Sequence, residues 1–140
     1  MNADKTTRFE GKHSELTDAI LSVFYEVYNE LGNGFLESVY RNAMSLALQQ
    51  RGYEVAMEVP IPVYFRNTKV GDFRADLIVN NTVLLELKSL NALEKSHEGQ
   101  ILHYLKATPL EVGLLCNFGP KPQFKRFVFD NERKLLRGKL

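Results

Sequence analysis

Cysteine is almost absent: Cys116 stands alone in 140 residues. One cysteine allows no disulfide framework and no multi-cysteine zinc or iron–sulfur site within one chain. Set in an apolar run, it reads as a buried small hydrophobe. No apolar run approaches the roughly 18 residues of a membrane span, and no signal peptide opens the chain. No membrane partner is expected, and a reducing cytoplasm is the expected compartment. An excess of one charge is missing too. The formal net charge is +1, so the chain is no strongly basic nucleic-acid binder and any basic surface must be local. His13, His97 and His103 lack a metal-binding spacing. Ser89 and Ser96 have no evident His and Asp partners for a triad. Gly32-Asn33-Gly34 supplies only part of a dinucleotide loop, and it follows a helix rather than a strand.

What is present suits one domain with one real core. Residues 1–12 are polar and aperiodic and read as a flexible N-terminal arm. The domain is expected over residues 13–130, and residues 131–140 read as a basic tail. Ser14 is the expected N-cap of a first helix, whose apolar face runs from Leu16 to Leu31. Gly32-Asn33-Gly34 should end it. A second helix is predicted from Leu36 to Gln50. Glu37 lies at the edge of its apolar face, about 100° from Leu36. There it is either a solvated first-turn acid that suits the helix dipole or an acid pointing into a site.

The period then changes from helix to strand. Residues 54–65 alternate strictly, and Pro60 and Pro62 put that strand at an edge or at a bend. A turn at residues 66–69, a strand over 70–79, a turn at Asn80-Asn81 and a strand over 83–88 complete a meander. Ser96 is the expected cap of a helix over 97–107. Buried and alternating strands are predicted near 111–117 and 124–130. The order α-α-β-β-β-α-β-β is that of a mixed α/β sandwich with a helical crossover.

Asp76, Glu86 and Lys88 are the residues hardest to explain as structure. An unpaired carboxylate in an apolar strand is costly. Glu86 and Lys88 are two apart in a strand and share a face. Register decides whether Asp76 joins them. A two-residue turn at Asn80-Asn81 sets Asp76 opposite Leu85; a three-residue loop, Asn80-Asn81-Thr82, or a bulge sets it opposite Glu86. Two carboxylates with a main-chain carbonyl such as that of Leu87 make an all-oxygen site suited to Mg2+ or Mn2+. Lys88 can hold the attacking water or stabilise a negative transition state. Gln100 can orient water or a phosphate, and Glu37 can add a third carboxylate through a water.

The spacing D-x9-E-L-K from Asp76 to Lys88 resembles the signature of the PD-(D/E)xK nuclease superfamily, with Ala75 where a proline usually stands. Gln100 to Tyr104 is similar to the Q-x-x-x-Y motif of its RecB-like branch. Gly34 to Tyr40 is similar to the G-x-x-E-x-x-Y motif that names the GxxExxY family. The resemblance implies a restriction-endonuclease-like α/β fold: a three-stranded meander plus crossover strands in a mixed sheet flanked by helices. It implies Asp76 and Glu86 as metal ligands, Lys88 as the catalytic lysine, and Glu37 and Gln100 as supporting catalytic residues. Tyr104 would pack beside the site or contact substrate. The expected function is a Mg2+-dependent nuclease acting on DNA or RNA. The alternative is a non-catalytic module that binds nucleic acid or a protein partner. Either leaves room for a homodimer.

Overall fold

The computed structural model describes residues 11–134. Most of the arm and tail expected at the two ends lies outside them. The first apolar stripe forms α1, Ser14–Leu31. Ser14 is not its cap. His13 holds that position with φ 54°, and the Thr17 hydroxyl donates to the carbonyls of His13 and Ser14. Gly32 closes α1 at φ 66°, where a side chain would be strained. The second helix, α2, is Glu37–Gln50 with Leu36 as its N-cap.

The alternating run forms β1, Val55–Phe65. It meets β2, Thr68–Val79, through a two-residue turn. Arg66 and Asn67 both take positive φ there, the geometry that matches strand twist. The turn is therefore shorter than expected, and β2 begins two residues earlier. β2 pairs with β3, Val83–Lys88.

The next helix, α3, spans Lys95–Lys106. Its cap is Glu94 rather than Ser96: Glu94 and His97 exchange side-chain and backbone hydrogen bonds in a capping box. Then β4, Val112–Phe118, and β5, Pro122–Val128, complete the sheet. A short 3-10 turn, Asn131–Arg133, follows.

The five strands lie in sequence order, and only the β3–β4 pair is parallel. The crossover through α3 makes that parallel pair. β1 is an edge strand, as its prolines require. One face of the sheet packs on α1 and α2 through Leu77, Val79, Leu85, Leu87 and Phe118. The other packs on α3 through Ile78, Leu84, Ile101, Leu105 and Leu115. Cys116 is fully buried in the first core, as read from sequence, and burial pushes its thiol up. Gly113 permits α3 to lie close: a Cβ there would meet Ile101 at 3.0 Å.

The strict alternation of β1 conceals a switch of faces that β2 shares. Leu77 and Val79 belong to the α1–α2 core, yet Ala75, two residues earlier, belongs to the α3 core. Val55 packs on the first core, whereas Val59 and Ile61 pack on the second. The switch falls at Glu58, whose φ is 50°, and at Asp76 beside it. Beyond that point β2 pairs with β1 alone.

Candidate active site

The β2–β3 ladder closes on Val79↔Val83 and runs through Leu77↔Leu85. Asn80, Asn81 and Thr82 therefore form the three-residue loop, which sets Asp76 opposite Glu86. At that pair the ladder changes character. The Asp76 amide donates to Glu86 Oε1 at 3.0 Å, and the Leu87 amide donates to Asp76 Oδ2 at 2.8 Å. Side-chain oxygens thus replace the carbonyls that a regular ladder would offer. The strands fork here, and the fork aims two carboxylates at one spot. Each uses one oxygen on an amide, and the second oxygen of Asp76 faces the Arg41 guanidinium at 3.7 Å.

The electrostatics are those of a site short of positive charge. Glu86 is only 4% exposed. Burial first, and the Asp76 charge second, push its carboxyl from the usual 4.5 up to about 8. The Asp76 amide and the Lys88 ammonium act the other way and do not offset this. Lys88 lies at the end of β3, half-buried, on the Glu86 side.

From α3, the Gln100 amide donates to the Tyr104 hydroxyl at 2.9 Å. Burial raises the Tyr104 phenol, and the charges on Glu86 and Asp76 raise it further. Gln100 and Tyr104 therefore adjoin the carboxylate pair. Glu37 is less closely joined. It sits in the first turn of α2 and is joined to neither carboxylate by a hydrogen bond or ion pair among the described residues. No group of three acidic, histidine or cysteine side chains there is close enough to hold a metal.

Arg41, one turn beyond Glu37, was not singled out by its pattern. Its guanidinium lies 3.7 Å from Asp76 Oδ1 and 3.7 Å from Glu58 Oε1. Its position four residues after Glu37 puts it on the same helix stripe, the one signal the sequence carried. Two further contacts fix the exit from β3. The Ser89 hydroxyl donates to the Phe35 carbonyl at 2.9 Å, tying the α1–α2 turn to the residue after Lys88. Asn117, fully buried, bonds both the amide and the carbonyl of Leu90 at 2.9 Å. Gly119 is needed beside it, since a Cβ would come within 2.3 Å of the Leu90 carbonyl.

Two carboxylates and a lysine at the fork of a meander, in a mixed sheet with helices on both faces, define a nuclease-like architecture. The sequence agrees: a profile of the PD-(D/E)XK nuclease superfamily matches residues 14–127. The chain belongs to that superfamily. No curated protein matches it in sequence. Among solved structures it is similar to the crystal structure of SSO0001, with a TM-score of 0.55 and 16% identity over 89% of this chain. This chain spans 62% of that one. At such identity the likeness speaks for the fold. No helix among the described residues is long and apolar enough to cross a membrane.

Proposed function

We propose that the protein is a metal-dependent nuclease of the GxxExxY type, within the RecB-like branch, that hydrolyses phosphodiester bonds in DNA or RNA. The observation that carries this reading is the cross-bonded Asp76–Glu86 pair, with Lys88 on the same strand as Glu86. Superfamily membership supports it. The donor set suits a hard divalent cation: all oxygen, anionic and poorly compensated. Asp76, Glu86 and the Leu87 carbonyl would hold Mg2+ or Mn2+. A cation there supplies a lowered pKa for the attacking water and neutralises charge on the phosphoryl oxygens.

The chain's own groups do the rest. Lys88 holds the water in line or stabilises the negative transition state. Gln100, fixed by its bond to Tyr104, orients water or a phosphate oxygen. Arg41 meets Asp76 from α2, and Glu37, one turn before it, would add a carboxylate through a water. Water adds to phosphorus, the 3′ oxygen leaves with a proton, and a 5′-phosphate remains. The expected compartment is the cytoplasm.

A second reading is a binding module without chemistry. It draws on Arg41, whose guanidinium already offers Asp76 a counter-charge. A panel of DNA and RNA substrates with Mg2+ or Mn2+ separates the two. The nuclease reading expects cleavage by the parent chain and none by Asp76→Asn or Lys88→Ala. Cleavage by all three alike, or by none, overturns it.

A further inference from the structure

Beyond the Asp76–Glu58 switch, β1 and β2 leave the sheet as a two-stranded arm, because β3 pairs only with Leu77, Ile78 and Val79. Arms of this kind usually shed apolar surface or cover it. This one displays it: Tyr64 and Phe65 are each 59% exposed, and Val70 is 62% exposed. The rings are joined by cations. The arm carries Arg66, Lys69 and Arg74 against Asp72 alone, in a chain whose net charge is only +1. Lys69 meets Asp72 at 3.5 Å. Arg66 lies over the Phe65 ring at 4.8 Å, and neither Arg66 nor Arg74 makes an ion pair among the described residues.

The arm is also continuous with the site. The Phe73 ring meets His103 edge-on at 4.7 Å and lies 6.0 Å from Tyr104. Tyr104 in turn receives the Gln100 bond beside the carboxylates. Phe73 thus ties the arm to the side of α3 that carries Gln100 and Tyr104.

We infer that this arm is a stacking platform for an unpaired polynucleotide strand, which it delivers to the Asp76–Glu86 pair. The inference rests on the nuclease reading and narrows it to single-stranded substrate. Exposed rings stack on bases only where the bases are free, and every base has a face to offer. Three basic side chains complement the phosphates of one strand, but they are few for a duplex, where phosphate contacts dominate affinity. Strand addition by a second copy at the β1 edge is disfavoured, because Pro60 and Pro62 lack the N–H groups that such pairing needs; the β2 edge beyond Asp76 carries no proline, and the oligomeric state tests it.

Fluorescence anisotropy with labelled 20-mers of thymidylate and uridylate, and with a duplex of equal length, tests this in EDTA, where cleavage cannot interfere. The parent chain should bind an unpaired 20-mer more tightly than the duplex. Its log affinity should fall against log salt with a slope of about −2. Tyr64 and Phe65 are consecutive in β1 and face opposite sides of the arm, so alanine at the ring on the strand's path should weaken binding by about fivefold or more, and the double variant by at least as much. Both rings are exposed, so thermal melting should show the variants folded.

If the parent chain binds and cleaves while the double variant binds as tightly, the arm is not the platform, and the nuclease reading stands. Tighter duplex binding that survives the double substitution overturns the inference in the same way. A parent dimer that the double variant converts to monomer, with unchanged oligonucleotide binding, assigns the arm to self-association instead. If the parent chain neither binds nor cleaves any polynucleotide, the nuclease reading fails, and the platform fails with it.

Discussion

Glu86→Gln is expected to melt at a higher temperature than the parent chain at pH 9 and to cleave nothing. The two effects share one cause. Burial and the Asp76 charge raise the Glu86 carboxyl to about 8 from the usual 4.5. Between those two values the folded chain holds a proton that the unfolded chain has already released, and at pH 9 it carries a buried, ionised Glu86 instead. The resulting stability is fully present below about pH 4.5, falls as pH rises toward about 8, and is level above that. Glutamine keeps the acceptor for the Asp76 amide without a charge to bury. The melting gap between variant and parent should thus open between pH 5 and pH 8. It should reach the order of a few kcal/mol, or several degrees.

Cleavage should fall below about a thousandth of the parent rate, since one carboxylate cannot hold the cation that activates water. Cation binding requires the ionised form of Glu86 and so displaces a proton. Affinity for Mn2+, read by thermal shift, should rise about tenfold per pH unit toward pH 8 and then level off. A pH-independent affinity would place the cation elsewhere. Cleavage retained by Glu86→Gln would remove Glu86 from the site.

The residues of this site were legible to different degrees, for physical reasons. The pairing of Asp76 with Glu86 was only half readable: turn chemistry left a two-residue turn and a three-residue loop both open, and the chain takes the three-residue loop, Asn80-Asn81-Thr82, closing on Val79↔Val83. The edge position of β1 was readable because proline cannot donate to a ladder. The crossover was readable from the change of period. Arg41 was not, because its meaning lies in how close α2 comes to β2, which no local pattern encodes. Neither was the switch of faces at Glu58 and Asp76. Alternation continues unbroken through β1, so the period is kept while the core it serves changes. The caps of α1 and α3 were misassigned for a related reason. Serine is the better generic cap, but Glu94 gains a reciprocal partner in His97, and α1 starts from His13 in a left-handed conformation with no side-chain cap. At α3 local propensity was overruled by a specific partner.

Tyr40 joins the core to the site, and two substitutions should separate those roles. Its ring stacks on Phe118 at 4.0 Å and 9°, fully buried, while Phe24 meets Phe118 edge-on at 4.9 Å. Its hydroxyl donates to the Gly32 carbonyl at 2.6 Å and accepts from the Phe35 amide at 3.2 Å. Tyr40→Ala removes both and leaves a cavity, which costs about 3–5 kcal/mol. That is a large share of the 5–15 kcal/mol typical of a domain. Tyr40→Phe keeps the stack and loses only the clasp, which costs about 1–2 kcal/mol. The clasp holds the turn that Ser89 grips next to Lys88 and that leads into Glu37. Urea unfolding should therefore show Tyr40→Phe close to the parent chain and Tyr40→Ala far below it. Cleavage by Tyr40→Phe should fall further than its stability alone explains, because the turn is freed in front of the site. Equal destabilisation by the two would make the hydroxyl, not the ring, the anchor. Parental cleavage by Tyr40→Phe would mean that the turn needs no clasp to place Glu37 and Lys88.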